Sequence, residues 1–131
     1  MTCGQIRFAR RQACAIAGLE IEALEAWEAS ARRDPEPEYD ISGVVALMAL
    51  RDALDALGGR VDLFRLALAQ ALAEIAREPS VRRLARRTVI VGPDFGRLCD
   101  LGAARLTCPD RGFFVLRLQP LIAELQDRVF A

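Results

Sequence analysis

At 131 residues the chain is long enough to bury a core of its own, and its 18 basic residues balance 18 acidic ones, which excludes a global pull toward nucleic acid or membrane. Every basic residue is an arginine, and histidine is absent. With no imidazole available as general base or metal ligand, and with no phosphate-binding or dinucleotide-binding glycine motif, an enzyme is not expected.

In chain order, residues 6–17 (IRFARRQACAIA) predict a short helix ended by Gly18, a residue suited to a left-handed C-cap. A second helix is predicted from about Glu20 to Ser30. Counted from Arg10, Gly18 falls on the turn glycine of a helix-turn-helix. Ala13, Cys14 and Ala17 are small enough to let the two helices approach, and Leu19, Leu24 and Trp27 supply the apolar side of the second. Residues 31–40 contain two prolines and read as a polar turn. Ser42 is the predicted N-cap of a third helix whose stripe is Val44, Leu47, Leu50, Leu54 and Leu57, ended at Gly58-Gly59.

The next helix is predicted over residues 62–78, stopping before Pro79. Its polar stripe is narrow (Asp62, Arg65, Gln70, Glu74, Arg77), so it needs cover on several sides, from the core or from a second subunit. Residues 80–87 (SVRRLARR) predict one or two helical turns capped by Ser80. After them the texture changes. Residues 88–92 and 112–118 predict strands, 104–108 a weaker strand, and Pro120 opens a last helix. The expected organisation is a first unit at 1–60, a helical connector and dimerisation segment at 61–87, and a small C-terminal α+β unit at 88–131.

The four cysteines, Cys3, Cys14, Cys99 and Cys108, match no metal or CxxC spacing and are expected to be free thiols, mostly buried, in a reducing compartment. No metal and no cofactor is expected. The longest uncharged run, Ile41 to Leu50, is too short to cross a bilayer. Acidic LEIEALEAWE follows the arginine-bearing start too soon for a signal peptide, so a soluble, cytoplasmic protein is expected.

The first part of the chain, over about residues 5–75, resembles the MerR-type winged helix-turn-helix. That family places a Gly after the first helix, Leu-Arg-x-Tyr-Glu in the second, a Tyr closing the wing, and apolar residues at intervals of five, three and three after it. Those places here hold Gly18, then Leu24, Glu25, Ala26, Trp27 and Glu28, then Tyr39 with Val44, Leu47 and Leu50. Where MerR-type regulators carry Arg or polar residues, this chain has Glu22 and Glu25. In that respect it is similar to the CbpM chaperone modulators, which keep the MerR-like shape with an acidic second helix. That resemblance implies binding to the J-domain of a DnaJ-like protein instead of DNA.

The fold class expected is therefore mainly α: a MerR-like winged helix-turn-helix with a helical extension and a small C-terminal β-containing unit. The function placed first is a non-enzymatic DNA-binding transcriptional regulator, with double-stranded DNA met by Arg7, Arg10, Arg11, Arg32 and Arg33 on the first helix and wing. The alternative is a CbpM-like protein-interaction modulator that binds a basic partner and no DNA. Its contact residues are Glu20, Glu22, Glu25 and Glu28, with Arg82, Arg83, Arg86 and Arg87 as a second, basic patch. A two-fold homodimer is expected in either case, through residues 62–78 or the C-terminal strands.

Overall fold

The computed structural model describes residues 6–100 and 114–130 of the chain, and it is mainly helical. Two short strands, β1 (Phe8–Ala9) and β2 (Glu38–Tyr39), pair antiparallel with Phe8 opposite Tyr39 and Ala9 opposite Glu38. Residues 8–9 thus leave the predicted first helix. A strand of two residues has no periodicity of its own, and its conformation comes from pairing with residues 38–39. Helix α1 (Arg10–Ala17) then buries Ala13, Cys14 and Ala17. Gly18 ends it at φ 73°, and the Leu19 N–H closes the turn on the Cys14 carbonyl at 3.0 Å. This left-handed position is the one a glycine takes without a Cβ penalty.

Helix α2 (Ile21–Ala31) presents Leu24 and Trp27 to the core and ends on Arg32, itself left-handed at φ 55°. Helix α3 (Ile41–Leu57) is the centre of the molecule: its first ten residues are all buried. Its N-cap is Asp40, whose side chain accepts from the Gly43 N–H at 2.7 Å. The expectation for Ser42 is corrected accordingly. Asp40 captures the first free N–H groups, so the helix begins before Ser42. The serine, fully buried, instead donates its hydroxyl to the Glu78 carbonyl at the far end of the next helix.

A 3-10 segment (Gly58–Phe64) separates α3 from α4 (Arg65–Arg77), where one helix was predicted from residue 62. The glycine pair, with Gly58 at φ 53°, turns the chain and leads it into this tighter winding. Leu63 and Leu66 are left 68% and 83% exposed. Helix α5 (Val81–Leu84) is a single turn capped by Ser80, which accepts from the Arg83 N–H at 3.2 Å.

Strands β3 (Arg87–Val91), β4 (Gly96–Asp100) and β5 (Phe114–Arg117) form an antiparallel sheet in the order β4-β3-β5. The β3–β4 hairpin is closed by the Gly92 N–H donating to the Phe95 carbonyl at 2.7 Å. Strand β4 was not expected from sequence, and the weaker strand predicted at 104–108 lies outside the described residues. Helix α6 (Gln119–Phe130) returns Leu121, Ile122 and Leu125 to the core. One hydrophobic cluster gathers residues from Phe8 to Leu125, with members in α1 to α6 and in β3. No helix among the described residues is long and apolar enough to cross a membrane.

Candidate protein-docking face

The four glutamates of the second helix do not form one surface. Glu20, at the N-cap of α2, and Glu22 and Glu25 are exposed. Glu28 is only 8% exposed. Its carboxylate receives both arms of the Arg10 guanidinium: Nη1 donates to Oε2 at 2.9 Å and Nη2 donates to Oε1. The same Nη1 reaches the Tyr39 hydroxyl at 3.3 Å and the Glu36 carbonyl at 3.4 Å. Arg10 and Glu28, expected at two different contact surfaces, are therefore each other's partner. They clamp the start of α1, the last turn of α2 and the β1–β2 ribbon together. Hydrogen bonding to Glu28 holds Arg10 charged beyond even the usual guanidinium range, against its partial burial.

The remaining arginines expected to meet DNA, Arg7, Arg11, Arg32 and Arg33, are exposed, and none forms an ion pair among the described residues. Of the basic cluster that follows α4, Arg82, Arg83 and Arg86 are exposed. Arg87 is not part of that patch: it opens β3 opposite Asp100, with Nε 3.3 Å from Oδ1. From the N-cap Glu20 to Ser30 the exposed residues of α2 are Glu20, Glu22, Glu25, Ala26, Ala29 and Ser30, and the exposed Arg32 follows only at the C-cap. Ser30 spends its hydroxyl on the Trp27 carbonyl at 3.0 Å. Between Glu20 and Ser30 this face offers carboxylates, methyl groups and one hydroxyl, and no cation.

No family model, curated protein or solved structure matches the chain. Among the described residues no cluster of three His, Cys, Asp or Glu side chains is placed to hold a metal ion. Cys14 is buried, and burial pushes its thiol up, while Cys99 is half-buried; both are free. Cys3 and Cys108 lie outside the described residues.

Two features of this region escaped sequence reasoning. The first is an ionic cluster over the C-terminus of α1. Arg51 donates to the Ala17 carbonyl at 2.7 Å and, with both Nη atoms, to Glu124 at 2.8 and 3.2 Å. Arg128 donates to the Ile16 carbonyl at 2.6 Å and pairs with Glu124 at 3.0 Å. Two guanidiniums thus satisfy the unpaired carbonyls at the negative end of α1. The hydrogen bonds from Arg51 hold the Glu124 carboxyl below its ordinary range. No local signal links residues 17, 51 and 124.

The second is a cleft of about 260 Å³ between α2, the ribbon, α3 and α4. Leu24 and Trp27 form one wall, Leu47 and Leu50 the floor, and Ala69, Leu72, Ala73 and Ala76 the other wall. Arg7, Arg33, Asp34, Glu36 and Glu38 rim it.

Tyr39, which also lines this cleft, is the chain's single tyrosine, so its ionisation can be followed by phenolate absorbance. Burial pushes the phenol up to about 12 from an ordinary 10, with Arg10 pulling the other way. An acid whose folded pKa is raised adds stability that is fully present below the unfolded value and is lost as pH rises through the folded one. The expected result is one alkaline step near 12, shifting to about 10 in denaturant. A folded-state midpoint near 10 would mean that the phenol is open to water.

Proposed function

We propose that this chain is a non-enzymatic protein-interaction module: a MerR-like winged helix-turn-helix whose acidic second helix docks on a basic protein surface, in the manner of the CbpM-type modulators. The observation that carries the reading is the exposed face of α2, which presents Glu20, Glu22 and Glu25 with no cation among them. Duplex DNA carries a phosphate charge about every 1.7 Å, and neutralising those charges supplies most non-specific affinity. A helix with this face enters a groove against repulsion. Arg10, one of the five arginines on the first helix and wing, is already neutralised by Glu28. The helix pair joined at Gly18 and the short ribbon ahead of α3 support the MerR-like shape.

One observation favours the DNA-binding regulator as a second reading: Arg7, Arg11, Arg32 and Arg33 are exposed and form no ion pair among the described residues, so a backbone clamp around α2 is available. The two readings separate on one pair of titrations at low and high salt, with the J-domain of a DnaJ-like protein as one probe and a duplex as the other. The expected result is J-domain binding that falls about tenfold at low salt in the Glu22→Gln/Glu25→Gln variant, with little change in thermal stability. Duplex binding should be weak in the native chain and strengthen in that variant. Tight duplex binding by the native chain, with a steep salt slope and no J-domain binding, would hand the function to the DNA reading.

A further inference from the structure

We infer that the cleft between α2, α3 and α4 is an anchor site for one large apolar side chain of a protein segment that carries basic residues beside that anchor. The inference rests on the acidic docking reading above and adds what the partner inserts. The cleft exists because of residue size. Ala69, Ala73 and Ala76 follow one another at four and three residues, so they share a face of α4, and none has an atom beyond Cβ to fill the space. Across from them Leu24 and Trp27, with Leu47 and Leu50 beneath, give an apolar lining. Trp27 is 6% exposed, so what it offers an occupant is a fixed wall.

Volume and charge choose the occupant. Small-molecule sites occupy about 300–1,000 Å³ and enclose most of the ligand. This cleft, at about 260 Å³, falls short of that range, a size suited to one large apolar side chain. Its rim bears Asp34, Glu36 and Glu38 against Arg7 and Arg33, three acids against two bases, for a net charge of −1. None of the five is in an ion pair among the described residues. Glu25, one turn of α2 before the cleft-lining Glu28, extends the acidic side. A second copy of the chain is the weaker match. Among the described residues its most exposed large apolar side chains, Leu63 and Leu66, lie beside the mutually paired Asp62 and Arg65 and share a surface pocket with one exposed cation, Arg32, whereas a segment with Arg or Lys on both sides of its anchor brings at least two. An amphipathic segment with an apolar anchor and basic flanks matches both lining and rim.

The test uses the full chain and tryptophan-free helical peptides with a central Leu and Arg or Lys one turn to either side. The chain's single tryptophan, Trp27, lies in the cleft wall, so its fluorescence reports occupancy directly. A saturable change in Trp27 emission is expected, weakened about tenfold or more when the central Leu is replaced by Ala. It should also be lost in Ala73→Phe, which fills the cleft from α4, and in Ala76→Tyr, which narrows the mouth from an exposed position that folding tolerates. Thermal unfolding of both variants checks that they are folded. Peptides that bind equally with Ala at the centre, while still depending on Glu22 and Glu25, would overturn the anchor and leave the acidic docking reading standing. Binding of Leu-centred peptides with acidic flanks as tightly as basic ones would keep the cleft and overturn the basic partner. A Trp27 change that follows chain concentration without peptide would assign the cleft to a second copy. Equal response to a small aromatic probe would assign it to a small ligand. Either of these, or no response to any peptide, overturns the inference.

Discussion

Replacing Gly96 with alanine should lower the stability of the chain by about 3 kcal/mol, or about 10 °C in thermal midpoint. Strand β4 begins at Gly96 directly against the backbone of α4. A Cβ built there would sit 2.6 Å from the Ala67 carbonyl carbon and closer still to its oxygen. The obstacle is main chain, which cannot rotate away as a side-chain tip does, so β4 and α4 must separate. The same strand is held to α4 by the Leu98 N–H, which donates to Glu74 Oε2 at 2.7 Å, so separation costs that bond as well. Gly96 does not have a positive φ, and the penalty is therefore steric and not conformational. Gly59→Ala is the matched control. A Cβ at Gly59 meets nothing within 4 Å, and a neutral or slightly stabilising effect is expected. Equal thermal midpoints for the two variants would show that β4 does not lie against α4.

Gly96 also illustrates what sequence could and could not reveal. The elements read correctly from sequence each carry a local signal: Gly18 at a left-handed turn, the apolar stripe Val44, Leu47, Leu50, Leu54 and Leu57 of α3, the β-branched TVIV of β3, and Pro120 at the head of α6. The misread elements take their conformation from elsewhere in the chain. β1 is a strand only because residues 38–39 lie beside it. β4 reads GRLCD, with two charges and a glycine, and becomes a strand through its pairing with β3 and the close approach to α4. Ser42 and Asp40 are both competent caps, and the choice between them is made by where Ser42 is buried.

The candidate site divides in the same way. That α2 is acidic was legible, because helical spacing puts Glu22 and Glu25 away from Leu24 and Trp27. For Glu28, which leaves this group, the signal was there but missed: it lies four residues after Leu24, on the buried side of the same helix, where Arg10 from eighteen positions away meets it. The cleft was hidden: three alanines spaced along α4 read as good helix formers, and the space they leave emerges only once α2 and α3 face them.

The Arg10–Glu28 pair provides the second large effect, and it separates a surface role for these residues from a structural one. Arg10→Ala should cost about 3 kcal/mol, because it leaves a buried carboxylate without its bidentate partner. Glu28→Ala should cost a similar amount by stranding a guanidinium that also bonds Tyr39 and Glu36. In the cycle of Arg10→Met, Glu28→Leu and the two combined, each single change should cost a comparable amount, and the double variant, which removes both charges and retains apolar volume, should recover most of the loss, a strongly non-additive result. Tyr39 gives an independent readout. Arg10 now lowers the phenol against the effect of burial, so in Arg10→Ala the phenolate step should move to still higher pH. On the proposed docking surface the outcome runs opposite to stability. Arg10→Ala adds an unpaired carboxylate beside Glu25, which should preserve or strengthen binding to a basic partner under conditions where the variant stays folded. A DNA-clamping Arg10 would instead lose duplex affinity with little change in stability. That pattern, together with additive single and double variants, would return both residues to the surface.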